Sequence, residues 1–140
     1  KEEINALQSS KTMPTILPGA SFFLGMPWAP ARKMIDAGLP VALASDFNPG
    51  SSPSGNMNFI LSLGSIKLKM LPEESLNAVT LNSAYAMGVE EITGTITPGK
   101  LANFIIFKDI PGIEYIPYAY GSDLIDDVFI RGRSVRGIFS

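Results

Sequence analysis

The segment Ala42–Pro53 (ALASDFNPGSSP) holds the side chains with the most chemical potential in the chain. Asp46 directly follows an apolar run, Leu39–Ser45 (LPVALAS), which reads as a buried strand. Ligands of α/β folds bind at the C-terminal edge of such strands, and catalytic residues come from strand ends. A carboxylate there is costly to desolvate unless it meets a cation or hydrogen-bond donors. Asp46 is therefore either a site residue or a turn residue accepting bonds from Asn48 or later N–H groups. Gly50, Ser51 and Ser52 lead toward a predicted helix start at Ser52-Pro53, so their N–H groups could hold an anionic or carbonyl oxygen. That second feature favours a site.

Other segments with motif-like spacing are weaker. Gly94–Lys100 (GTITPGK) has the G-x4-G-K core of a phosphate-binding loop. Leu101 follows where a Ser or Thr would ligate magnesium, and a strand rather than a helix is predicted next, so a plain β-turn is favoured. Asp46-x-Asn48-x-Gly50 resembles the start of a calcium loop, but Gly50 and Met57 stand where acidic or amide ligands belong. Arg131, Arg133 and Arg136 are expected to be solvated rather than to form a binding patch. Phe22, Phe23 and Trp28 are expected in packing rather than on a stacking platform.

Elements that position these residues follow from the apolar pattern. Lys1–Ser10 reads as the end of a helix, and Lys11–Leu17 as a strand with an awkward Pro14. A turn is expected at Pro18-Gly19 and an aromatic loop over Ala20–Pro27. Pro30–Ala37 reads as a helix closed by Gly38. Leu39–Ser45 is apolar without alternation, the mark of a parallel strand covered on both faces. A helix from Ser52-Pro53 to about Lys69 carries two apolar stripes, so it should lie in the interior. A further helix starts at Pro72-Glu73-Glu74, with acids in its first turn, and runs with a break near Thr80 to Met87. After Gly88 the pattern becomes β. Thr93–Pro98 alternates, Ala102–Phe107, Asp127–Ile130 and Arg133–Ile138 read as strands, and Ile110–Gly121 as a loop.

Composition bounds the rest. The chain has 140 residues, no cysteine, no histidine, a net charge of -2 and 46% hydrophobic residues. That length is one ordinary domain. The absent cysteine removes disulfides and thiol nucleophiles, and the absent histidine removes any Ser-His-Asp triad or His-metal cluster built from these residues alone. The acidic balance argues against nucleic acid, and no apolar run reaches the roughly 18 residues of a membrane helix. Charged residues are only 17%, against about 25% in typical domains. With a lysine as first residue and this hydrophobicity, the expectation is a piece of a larger protein.

Four segments, Leu17–Leu24 (LPGASFFL), Ala42–Pro53 (ALASDFNPGSSP), Thr80–Gly88 and Gly94–Phe107 (GTITPGKLANFIIF), together resemble the imidazolonepropionases of the amidohydrolase superfamily. The G-x-I-x-x-G-K segment is shared by many amidohydrolases; LPGASFFL and SDFNPGSSP are much more specific. The resemblance spans nearly the whole chain but only about the C-terminal third of the family's length. It implies an α/β fold: the last two βα units of a TIM-like amidohydrolase barrel, at about Thr12–Leu17 and Leu39–Ser45, plus the C-terminal strands of a small β-sandwich. Residues 1–90 would then be barrel and residues 91–140 sandwich. A closed barrel needs eight strands and about 250 residues, so this chain alone cannot close one.

The implied reaction is metal-dependent hydrolysis of the cyclic amide 4-imidazolone-5-propanoate to N-formimidoyl-L-glutamate in histidine degradation. One zinc or iron would be held by about three histidines and one aspartate, which maps onto Asp46. Asp46 would also help take the proton from the attacking water. Asn48 and Gly50 match positions that touch substrate or product, and Ser51 a position that contacts the imidazolone ring. The histidines, the propionate-binding arginine and the proton-shuttling acid would lie outside these 140 residues, so the chain alone is expected to be inactive. The same resemblance implies a cytoplasmic homo-oligomer with a small-molecule substrate and neither nucleic-acid nor membrane partners. Two departures stand out: Pro14 within the penultimate barrel strand, and Asn103 where the G-K-x-A-D segment usually carries Asp. Another amidohydrolase, such as a deaminase or a different cyclic amidase, and a non-catalytic interaction module are the alternatives.

Overall fold

The computed structural model describes residues 2–136. The N-terminal helix α1 covers Glu2–Gln8, and the chain then enters a short strand, β1, at Thr15–Ile16. It pairs in parallel with β2 (Ala42–Leu43), in the register Thr15↔Ala42 and Ile16↔Leu43. Pro14 lies just before β1 and contributes only its carbonyl, which accepts from Ala42 N–H at 2.9 Å. The missing proline N–H is thus never asked for, and the strand is shorter than the expected Lys11–Leu17.

The expected aromatic loop is a helix instead. α2 covers Pro18–Leu24, with Pro18 in its first turn and Gly25 closing it in the left-handed region (φ 65°). The Pro-Gly pair reads as a turn locally, but proline is equally at home at a first helical position. α3 (Ala31–Asp36) follows as expected, and Gly38 (φ 80°) turns the chain toward β2.

Leu39, Val41, Ala42 and Leu43 are all buried, as the unbroken apolar run requires. Three helices pack against this strand. α4 is Met57–Ile66, α5 Pro72–Val79 and α6 Leu81–Ala86. Five consecutive residues of α4, Ile60 to Gly64, are buried, so this is the interior helix that its two stripes predicted. Gly64 lets it approach closely: a methyl group there would lie 2.8 Å from Leu43 Cδ1 and 3.0 Å from Ser75 Oγ. The larger core gathers Ile16, Val41, Leu43, Ile60, Leu68 and Met70 among others, with Trp28 packed against it. α4 begins later than expected, with Asn56 rather than Ser52 as its cap; Asn56 Oδ1 accepts from Phe59 N–H at 3.2 Å. The break at Thr80 is present, where φ is -121° and ψ is -91°.

Glu74 fastens the start of α5. Its Oε2 accepts from Leu71 N–H at 2.8 Å, while its carboxylate receives Arg32 Nη1 and Nη2 at 2.7 and 3.1 Å. The Arg32 guanidinium holds the Glu74 carboxyl below the usual carboxylate range.

An antiparallel sheet of β3 (Phe104–Phe107), β4 (Ile125–Ile130) and β5 (Arg133–Ser134) follows. Phe104 and Phe129 face each other across β3 and β4, with ring centroids 4.7 Å apart. Arg131 (φ 51°) and Gly132 (φ 75°) make the tight hairpin turn that suits the strand twist. Arg131 N–H also bonds Asn103 Oδ1 at 2.8 Å, so the amide at this departing position still supplies an acceptor. The expected loop between the strands contains a short helix, α7 (Tyr115–Tyr118), and Ile116 and Leu124 pack with Leu61 of α4 in a second core. Thr93–Pro98 forms no strand, and Ile96 is 88% exposed. Of the expected strand Arg133–Ile138, residues 137 and 138 lie outside the described residues, as does Lys1 of the first helix. Among the described residues no helix is long and apolar enough to cross a membrane.

Candidate functional site

Asp46 stands where the chain leaves the C-terminal end of β2, three residues after Leu43. It is exposed, and its backbone lies in the left-handed region at φ 49°. Non-glycine residues rarely adopt that conformation, although Asp tolerates it better than most. Such residues persist where the surroundings over-determine them, and they cluster at functional sites.

The surroundings here are a dense web of hydrogen bonds. Asn48 Nδ2 donates to the Asp46 carbonyl and, at 2.8 Å, to Ser51 Oγ. Asn48 Oδ1 accepts from the N–H groups of Gly50 and Ser51, both at 2.9 Å. The backbones of Asn48 and Ser52 bridge one another in both directions, at 3.0 and 3.3 Å. Ser52 is 3% exposed, and its hydroxyl donates 2.6 Å to the Ser45 carbonyl. The structure therefore brings Asp46, Asn48, Gly50 and Ser51 into one compact loop.

Two expectations about that loop change. Its N–H groups do not sit at a helix N-terminus, because α4 starts at Met57. The N–H groups of Gly50 and Ser51 are already satisfied by Asn48 Oδ1 rather than free for an anion. Sequence reasoning also missed the part of Ser52, taken for a helix cap, and of Gly19 of α2. A methyl group on Gly19 would overlap Ser52 Oγ and approach the Ser45 carbonyl to 3.3 Å. Neither role leaves a local signal, since the partners are seven and more residues away.

The other motifs resolve into structure. Lys100 Nζ donates to the carbonyls of Glu90 and Thr93, so the GTITPGK lysine ties a loop to the segment after α6. Arg136 Nη2 pairs with Asp123 at 2.9 Å, and Lys108 Nζ lies 3.3 Å from the same carboxylate. The Ile125 N–H bond, then Lys108, hold the Asp123 carboxyl below its usual range. Arg131 and Arg133 are exposed, as expected.

A cleft of about 600 Å³ lies elsewhere, lined by Lys11, Met13, Leu39, Pro40 and Tyr85 among others. Those residues precede β1 and β2 or belong to α6, so the cleft opens at the edge opposite to Asp46. Among the described residues no group of three or more Asp, Glu, His or Cys side chains could hold a metal ion. Asp46 fits a single oxygen position in a metal's ligand set, and these residues do not complete that set.

The profile of the amidohydrolase family matches residues 4–135. The chain is 58% identical over 134 residues to an imidazolonepropionase of Flavobacterium johnsoniae, and 55% identical to one of Christiangramia forsetii. Each match covers 96% of this chain and 33% of the relative, so the chain spans about a third of the length of these curated relatives. Among solved structures, an adenosine deaminase from Xanthomonas campestris with bound zinc superposes with a TM-score of 0.84 at 21% identity, covering 95% of this chain and 34% of that one. The E. coli guanine deaminase superposes at 0.75 and 19% identity, covering 96% of this chain and 36% of that one. Likeness at such identities speaks for the fold and not for the substrate. With mixed α/β content, amidohydrolase-type neighbours and a family profile running almost end to end, this chain belongs to the amidohydrolase family.

Proposed function

We propose that this chain is the Asp46-bearing part of an imidazolonepropionase, which hydrolyses 4-imidazolone-5-propanoate to N-formimidoyl-L-glutamate. The observation that carries this reading is the identity of 53–58% to imidazolonepropionases over 96% of the chain, combined with an exposed aspartate at the C-terminal edge of a parallel strand. In this reading β1 and β2 are the last two strands of the barrel, residues 1–90 belong to it, and residues 91–140 join a small sandwich domain.

Asp46 would hold one position on a divalent metal, zinc or iron, whose remaining ligands come from sequence outside these residues. When bound, such a metal supplies water with a pKa lowered to about 7. The Asp46 carboxylate would accept the proton from the attacking water. The new C–O bond would form at the ring carbonyl as the ring C–N bond breaks, and the departing nitrogen would take up the proton removed from the water, which restores the carboxylate. Asn48, Gly50 and Ser51 form the loop rim beside Asp46 and would face the imidazolone ring. Gly50 is exposed and Ser51 half-buried at the rim.

Another amidohydrolase, a deaminase or a different cyclic amidase, is the second reading, because one fold hosts more than one chemistry. Assaying the full-length protein on imidazolonepropanoate, cyclic ureides and aminopurines separates the two. Turnover of imidazolonepropanoate that Asp46→Asn abolishes supports the first; turnover of an aminopurine alone replaces it with the second.

A further inference from the structure

We propose that Ser52 and Gly19 act as a positioning pair for Asp46, setting the direction of its carboxylate from behind the loop. The proposal rests on the functional reading above and adds to it two residues outside the loop rim assigned there. Ser52 is 3% exposed, and its hydroxyl donates 2.6 Å to the carbonyl of Ser45, the residue before Asp46. That peptide group links β2 to Asp46, so the hydroxyl anchors the Ser45 side of the Asp46 backbone.

Three further bonds hold the loop from the other side. Asn48 Nδ2 donates to the Asp46 carbonyl, and the backbones of Asn48 and Ser52 bridge. Asp46 is thus pinned on both flanks while held at φ 49°. Freed of the Ser52 bond, the peptide can relax toward the more populated negative-φ regions, which would turn the carboxylate away. Gly19 completes the device. α2 packs its first turn so close that a side chain at position 19 would overlap Ser52 Oγ and lie 3.2 Å from Ile60 Cδ1. Only glycine leaves the hydroxyl its place against Ser45.

The test uses the full-length polypeptide that carries this chain, assayed on 4-imidazolone-5-propanoate. It compares Ser52→Ala, which removes the donor, with Ser52→Cys, which replaces the hydroxyl by a larger atom and a weaker donor. Readouts are kcat, KM, the rate of zinc loss to EDTA and the thermal midpoint. A displacement of the carboxylate by a fraction of an ångström predicts about tenfold lower kcat and faster zinc loss, with KM within about twofold. Gly19→Ala, which crowds the hydroxyl while leaving Ser52 in place, should lower kcat in the same sense. If kcat and the zinc-loss rate of the folded Ser52 variants stay within about twofold of the parent, the proposal is overturned. If neither Ser52 variant folds, Ser52 is a folding residue and the proposal is equally overturned. Asp46→Asn serves as the separate control: full activity in that variant sinks the functional reading itself, whatever Ser52 does.

Discussion

The two ends of the short parallel sheet differ in kind. At the N-terminal edge, the residues before β1 and β2 border an open cleft of about 600 Å³. At the C-terminal edge the loop from Ser45 to Ser52 is crossed by hydrogen bonds and holds an exposed carboxylate on a left-handed backbone. Cleft volume would choose the first edge, whereas the proposed function rests on the second. A pinned, high-energy backbone persists only where neighbours hold it there, and such strain gathers at functional sites.

Substitutions at the two edges test this contrast most directly. Asp46→Asn in the full-length protein should lower hydrolysis by about 10² to 10⁴-fold, the range for loss of a positioned proton acceptor. Tyr85→Phe at the cleft should leave it within about twofold, as surface changes away from a site do. Steady-state kinetics checks both, and the opposite ranking would reverse the assignment of edges.

The next effect is on stability. Leu43→Ala removes a side chain that is 1% exposed at the junction of β2 and α4. It should destabilise by about 2–5 kcal/mol, the usual range for such truncations, read by denaturant unfolding. Asn56→Ala removes the cap of α4 and should lower stability by about 1 kcal/mol. Were Ser52 the true cap, Asn56→Ala would have no effect.

The smallest effect depends on pH. Glu74 has a folded-state pKa lowered by Arg32. Its contribution is therefore fully present above the ordinary glutamate pKa and lost as pH falls through the lowered folded value. The thermal midpoint of Glu74→Gln should lie below that of the parent at pH 7, and the gap should close in strong acid. A gap that widens on acidification would show that the pair does not stabilise the fold.

Much of this architecture was legible in the residues. The unbroken apolar run of β2, the two stripes of α4 and the break at Thr80 each follow from local pattern. Pattern failed where one residue suits two structures. Pro18 suits a turn or a helix start, and the structure makes it a start. Thr93–Pro98 alternates like a strand, but Gly94 at φ 93° and the proline leave no ladder to join. At the site, the position of Asp46 after its strand was readable. The satisfaction of the Gly50 and Ser51 N–H groups by Asn48, and the late start of α4, were not.

By itself, the order of residues determined the buried strand β2, the interior helix α4, the absence of histidine and cysteine, and a carboxylate at the end of a parallel strand. Those depend on periodicity and residue type, which act over a few positions. Only the tertiary structure decided that Ser52 reaches back to Ser45, that Gly19 must stay bare beside it, and that Asp46 is held at positive φ. Such choices belong to pairs distant along the chain, where close packing admits one side chain and excludes its neighbour.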